Sequence, residues 1–169
     1  VYVEGFHHTI EYCSFEGKTS RNATVAFKRS TSEAGISTTR DHRLRFCYFG
    51  PRECSTTENG FETIRIGDSS SQAHDMNVTI EQNVFYRAIW RNDGQKPNDM
   101  EIISNKTKGN KILNNTFLES FGQRNDAILT KWLGTGTARE SSIIESSSST
   151  LVCICSMISW PFCSLARER

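Results

Sequence analysis

The sequence lacks the excess of charge that marks proteins attracted to nucleic acid or to acidic membranes. Its 20 Lys and Arg residues nearly balance 19 Asp and Glu residues, which leaves a formal net charge of +1. Bulk electrostatic attraction to either partner is therefore not expected. An acidic polymer would have to be held by a local basic cleft instead.

Long apolar runs are also absent. None approaches the roughly 20 residues that a membrane-spanning helix needs, so no membrane partner is expected. No signal peptide opens the chain, which starts within a strand-like pattern at residues 1–3. We expect the sequence to be an excerpt of a longer chain, so the missing signal does not decide its location.

The six cysteines lack the spacing of a metal site. Three lie in the first third of the chain and three in the last 17 residues, and none forms a CxxC pair or a His/Cys cluster. This distribution argues against structural zinc. A convincing 3.6-residue apolar stripe is missing too, which argues against a helical repeat.

A short motif does recur, reading apolar-x-x-[Cys/Asn]-x-Phe. Its Cys or Asn positions lie 34, 36 and 32 residues apart, a period typical of repeat architectures. Residues of the motif alternate with period 2 and are rich in β-branched and aromatic types, which indicates strands. The four copies occupy residues 10–15, 44–49, 80–85 and 112–117.

We interpret each repeat as one coil of an all-β, right-handed parallel β-helix. Stacked coils would place the Phe residues in an apolar column and the Cys or Asn residues in an internal column at a turn. Asn suits that turn because its amide bonds to neighbouring backbone. Cys13 and Cys47 are predicted to be stacked, unreactive thiols there.

A second strand is predicted between the repeats, at residues 24–28, 62–66 and 101–105. The rival architecture, an antiparallel propeller or sandwich, requires tight two-residue turns between paired runs. Only Asn59-Gly60 fits such a turn. The β-helix is therefore favoured.

Polar chemistry is concentrated on two of these second strands. Asp99 and Glu101, two residues apart, would face the same way on a strand, and Asn59 could join them from the preceding coil about 4.8 Å away. Two carboxylates and an amide oxygen form a ligand set suited to Ca²⁺. A bound cation would disfavour the ammonium form of nearby Lys106 and favour its use as a base. The plainer interpretation is a solvated acidic pair and a surface lysine.

The amino-acid sequences of both predicted strands resemble those of a known family. Residues 59–67 read NGFETIRIG and residues 101–106 read EIISNK. Both are similar to the NGGETIRIG and EIISNKS strands of the polysaccharide lyase family of alginate lyases and chondroitinase B. The resemblance runs from about residue 5 to residue 122 and includes HRLRFCYFG at residues 42–50.

The resemblance implies roles for individual residues. Asn59, Asp99 and Glu101 fall on the family's Ca²⁺ ligands, with Asp99 in place of the usual Glu, and Lys106 falls on its catalytic base. Arg65 is either a contact to a substrate carboxylate or part of a structural ion pair. The implied reaction is β-elimination on a uronate, in which Ca²⁺ neutralises charge developing on the carboxylate.

The family's second catalytic residue, an arginine on the following coil, has no clear counterpart. If four residues are inserted, Lys131 falls at the position of that arginine. Arg124 is a second candidate for it. Lysine lacks the bidentate fork of arginine and is not equivalent to it.

The domain prediction follows the repeat. Residues 1–122 form the coils, residues 123–140 a further degenerate coil, and residues 141–169 a divergent tail. That tail is either the product of a frameshift or mis-splicing, or a disordered or capping extension.

The resemblance thus implies a secreted, monomeric, Ca²⁺-dependent lyase acting on an acidic polysaccharide, alginate first and dermatan sulfate second. One alternative is an inactive or carbohydrate-binding β-helix remnant, which the missing arginine favours. Another is a β-helical surface adhesin, which would have neither a Ca²⁺ site nor affinity for uronates.

Overall fold

The computed structural model describes residues 1–29, 39–54, 60–71, 74–89 and 101–120, and the backbone of two further strands. Its strands form three sheets in which every pairing is parallel. Across the described residues, no helix is long and apolar enough to cross a membrane.

Each sheet takes one strand from each of the first four coils, and sheets A and C take one more. Sheet A contains β1 (Tyr2–Val3), β4 (Val25–Phe27), β7 (Ile64–Ile66), β10 (Ile103–Asn105) and β13 (Ile128–Thr130). Sheet B contains β2 (Thr9–Glu11), β5 (Arg43–Arg45), β8 (Thr79–Glu81) and β11 (Lys111–Leu113). Sheet C contains β3 (Ser14–Phe15), β6 (Tyr48–Phe49), β9 (Val84–Tyr86), β12 (Thr116–Leu118) and β14 (Ser142–Ile144). Because successive strands of one sheet belong to successive coils, the predicted parallel β-helix is confirmed.

Period-2 alternation explains which side chains fill the interior. On β7, Ile64 and Ile66 are fully buried while Arg65 between them is half-buried. The Phe positions of the four repeats stack as predicted, with ring centroids 4.9, 4.8 and 4.8 Å apart along the column. These distances match the spacing of adjacent strands, so each ring lies directly on the next. The column comprises Phe15, Phe49, Phe85 and Phe117.

The Cys/Asn column lies at the turn between sheets B and C. Asn83 Oδ1 accepts the backbone N–H of Cys47 at 2.9 Å, and Asn115 Oδ1 accepts that of Asn83 at 3.0 Å. Their amides donate in turn to the carbonyls of Leu44 and Ile80. The predicted amide ladder is therefore confirmed.

The thiols at this turn differ from one another. Cys47 is buried and free, and burial raises the pKa of its thiol, which keeps it protonated. Cys13 is also free but exposed. The prediction that both are interior thiols is correct for Cys47 and wrong for Cys13, because among the described residues only the coil containing Cys47 stacks against the Cys13 coil.

Candidate functional site

The two polar motifs meet in sheet A. Strand β7 carries the first motif and β10 the second, and they pair in parallel with Arg65 opposite Ser104. Backbone hydrogen bonds extend this pairing beyond both ends of β10. Thr63 N–H and Ile64 N–H both donate to the Ile102 carbonyl, and Lys106 N–H donates to the Ile66 carbonyl at 3.0 Å.

This register brings Arg65 and Lys106 to one face of the sheet. Lys106 stands two residues after Ser104, the partner of Arg65, and residues two apart on an extended strand point the same way. Both side chains are half-buried. The interior positions beside them are taken by the fully buried Ile64 and Ile103.

Gly67, opposite Lys106, shows why the first motif ends in glycine. Its φ of +72° lies in the left-handed region, and a Cβ there would collide with Thr107 Cγ2. The close fit of the two coils at this point fixes the turn that follows Lys106.

The predicted metal ligand Glu101 is buried, with 7% of its surface exposed. It precedes β10 instead of lying on that strand, so its predicted place on the strand is wrong. The physical reason is a bend at Ile102, whose carbonyl already accepts two N–H groups from the preceding coil.

Glu62 is a second buried carboxylate that the sequence did not single out. It is 3% exposed, and its Oε2 has no hydrogen-bond partner in the structure. The Thr63-to-Ile102 hydrogen bond places Glu62 and Glu101 next to each other in adjacent coils. A buried acid needs positive charge nearby; Glu62 has the buried guanidinium of Arg52, whose pKa its charge acts to raise, and hard carboxylate oxygens also fit Ca²⁺. Only the period-2 pattern of the motif hinted that Glu62 would be interior.

Arg52 fixes the turn that leads into this motif. Its guanidinium, 3% exposed, donates from Nη1 to the carbonyls of Phe61 and Glu62, both at 2.6 Å. From Nη2 it donates to the carbonyls of Ser20 and Asn22 at 2.9 and 2.7 Å. Burial lowers the pKa of Arg52. No repeat position signals this residue, so the sequence did not reveal it.

The other predicted site residues, Asn59, Asp99, Lys131 and Arg124, lie outside the described residues. Within the part of the chain that is described, no three His, Cys, Asp or Glu side chains form a metal-binding cluster. The described portion of the site is therefore Arg65, Lys106, Glu62 and Glu101.

Comparisons with known proteins found a family model and a solved structure that are similar to this chain. A family model described as Chondroitinase B matches residues 1–126. A solved structure, that of the PL6 family alginate lyase AlyGC, is 34% identical with a TM-score of 0.57 over 72% of this chain. The chain spans only 15% of the length of that structure. No curated protein sequence matches.

Proposed function

The chain belongs to the chondroitinase B family, and from that premise we propose that it is the catalytic part of a polysaccharide lyase that cleaves uronate chains by β-elimination. The observation that carries the proposal is the pairing of β7 with β10, which brings Arg65 and Lys106 to one face of sheet A. A cation and a base side by side suit a substrate that carries a carboxylate beside an acidic C–H bond.

In the proposed reaction, Arg65 donates hydrogen bonds to the uronate carboxylate, for which the planar guanidinium fork is well shaped. Lys106 Nζ, as the neutral amine, takes the proton from C5. The C5–H electron pair forms the C4=C5 double bond and the C4–O bond breaks. The departing oxygen takes a proton from a second cationic side chain, for which Lys131 is our candidate.

Ca²⁺ is the proposed cofactor. Glu62 and Glu101 would hold it together with Asn59 and Asp99, the two predicted ligands outside the described residues. When bound, the ion supplies positive charge that stabilises the enolate-like carboxylate. Glu62 and Glu101 would supply carboxylate oxygens to the ion, and the hydrogen bonds of Arg52 fix the turn that carries Glu62.

Alginate is the substrate we propose first, because the similar structure is that of an alginate lyase. Dermatan sulfate is the second candidate, because the matching family model is described as Chondroitinase B. Both polymers occur outside cells, so we propose that the protein is secreted. We also propose that it acts as a monomer.

The base is tested by Lys106→Ala. We expect formation of unsaturated uronate product, followed by its ultraviolet absorbance on alginate and on dermatan sulfate, to fall at least about a hundredfold, because a positioned base contributes that much or more. Lys108→Ala, which removes the same charge two residues away, should retain the rate. Equal rates for wild type and Lys106→Ala would contradict the mechanism, and binding without product in the wild type would indicate a carbohydrate-binding remnant.

The cofactor is tested by binding alone. In calorimetric titration with Ca²⁺, Glu62→Gln and Glu101→Gln should each weaken affinity about tenfold or more, since each removes one anionic ligand. Glu119→Gln, which breaks a surface ion pair with Arg87, is the matched control. Unchanged Ca²⁺ affinity in both buried variants would exclude this site.

A further inference from the structure

A polar groove of about 510 Å³ lies along the outer face of sheet B, one corner away from Lys106. Its floor is built from the first residue of each strand, and these residues stand in direct register. Hydroxyl and cation alternate along it at the strand spacing of about 4.8 Å, so the two cations lie about 10 Å apart. In order, the floor residues are Thr9, Arg43, Thr79 and Lys111.

The wall of the groove is a column of residues with left-handed backbone at the corner between sheets A and B. His7, Asp41 and Asn77 supply side chains, with φ values of 57°, 60° and 50°. The fourth member is Gly109, where a Cβ would collide with Asn77 Oδ1. Because this last position has no side chain, the groove is open beside Lys111.

The charges of the groove leave it basic. Its one carboxylate, Asp41, is already engaged by Arg40 Nε at 3.6 Å and by Asn77 Nδ2 at 3.1 Å. Arg43 contacts Glu81 at 3.4 Å through Nε, while half of its side chain is exposed. Lys111 is exposed, and its ammonium makes no ion pair or hydrogen bond with the residues that the structure describes. The terminal N–H groups of Arg43 and the ammonium of Lys111 are therefore open to a ligand.

We propose that this groove binds an acidic saccharide chain, as a site distinct from the elimination site. The anionic groups of the chain bind Arg43 and Lys111, and its hydroxyls bind Thr9 and Thr79. Carboxylate and sulfate share this chemistry, so both a uronate and a sulfated oligosaccharide are considered. The class of polymer rests on the proposed function. The test distinguishes a failure of the groove from a failure of the lyase function.

The test measures binding of an alginate oligosaccharide by calorimetry in a Lys106→Ala background, which prevents turnover. Three variants replace the cations of the floor with threonine, the residue at its other two positions. They are Arg43→Thr, Lys111→Thr and the double variant. We expect about tenfold weaker binding for Lys111→Thr and a larger loss for the double variant, because each removes charged hydrogen bonds. Lys108→Thr carries the same charge change outside the groove and should bind within about twofold of its parent.

A dermatan sulfate oligosaccharide is titrated in the same way. A greater loss of its affinity in the groove variants would identify sulfate as the preferred anion, and a greater loss of alginate affinity would identify carboxylate. Unchanged binding of both oligosaccharides in the double variant overturns the groove, as does an equal loss in Lys108→Thr. Product formation by the chain with Lys106 intact is followed in parallel. No product, together with weaker binding in the groove variants, contradicts the proposed lyase function and leaves the groove supported.

Discussion

At the scale of single residues, the corner between sheets A and B is closed by a different side chain in each of two coils. His42 Nδ1 accepts the backbone N–H of His8 at 3.1 Å, and Asn110 Oδ1 accepts that of Val78 at 2.9 Å. Imidazole and amide thus fill the same role at equivalent positions. The imidazole is the costlier choice, because His42 is buried between Phe27 and His8 and its Nε2 has no hydrogen-bond partner.

His42 makes the stability of the chain depend on pH. Burial, and then the neighbouring His8, lower the pKa of His42 below its usual 6.5; the Gly5 backbone and then Asp41 oppose the shift, and His7 adds to it. The unfolded chain therefore binds a proton first as pH falls. The stability linked to His42 is complete above about pH 6.5 and is lost as pH falls from there through the folded-state pKa.

We expect His42→Asn to reduce this dependence, since the amide keeps the acceptor and does not titrate. Urea unfolding at about pH 8 and about pH 5.5 measures it, on either side of the usual histidine pKa. The loss of unfolding free energy between the two should be smaller in the variant than in the wild type. The same loss in both proteins would show that His42 is not the responsible group.

At the scale of elements, the Phe column ties the strands of sheet C together. Phe49, Phe85 and Phe117 are at most 2% exposed, whereas Phe15 at the first described coil is only partly buried. The rings lie nearly parallel, at 6° to 10°. Since a face-to-face sandwich is not the preferred aromatic geometry, most of the stabilisation comes from burial.

Phe85→Ala should therefore cost about 3–5 kcal/mol of unfolding free energy, because it leaves a cavity between two rings. Phe15→Ala, with a neighbouring ring on one side among the described residues, should cost clearly less. Denaturant unfolding of the two variants tests this order. Equal losses would mean that the column is not a continuous core.

The Phe column also shows why the elements could be predicted. Stacking requires equivalent side chains once per coil, so the fold leaves a period in the sequence that identifies both the architecture and the register. Contacts made once leave no such trace. Arg52 binds four carbonyls of two turns, and the backbone hydrogen bond from Arg52 to Arg87 puts an alanine, Ala88, at its place in the next coil.

The pairing of the two polar motifs could be predicted in the same way. The motifs that contain Arg65 and Lys106 are strand segments, and strand pairing alone brings them together. Glu62 needed the structure, because a glutamate just before a strand is normally solvated and its burial depends on the adjacent coil.

At the scale of the whole molecule, the described strands contact only strands of the neighbouring coils along the stack. Such a molecule is stabilised by the sum of its coil interfaces. A coil covered on both sides should open less often than one covered on one side.

We expect hydrogen exchange, followed by mass spectrometry, to be slowest in peptides that contain β7, β8 and β9, and faster in those that contain β2 and β3. Strands β8 and β9 occupy the same places in sheets B and C as β2 and β3, so comparing these pairs isolates position in the stack. Uniform protection across these coils would indicate a single cooperative unit.

The side chains that close the corners all belong to the later of the two coils that they join. In each case a backbone N–H of one coil is accepted by a side chain 32 to 36 residues later. During synthesis from the N-terminus, a coil leaving the ribosome thus carries unsatisfied amides until the following coil arrives. Assembly of the helix should lag translation by one coil. The accepting side chains are Thr39, His42, Asn83, Asn110, Asn115 and Ser120.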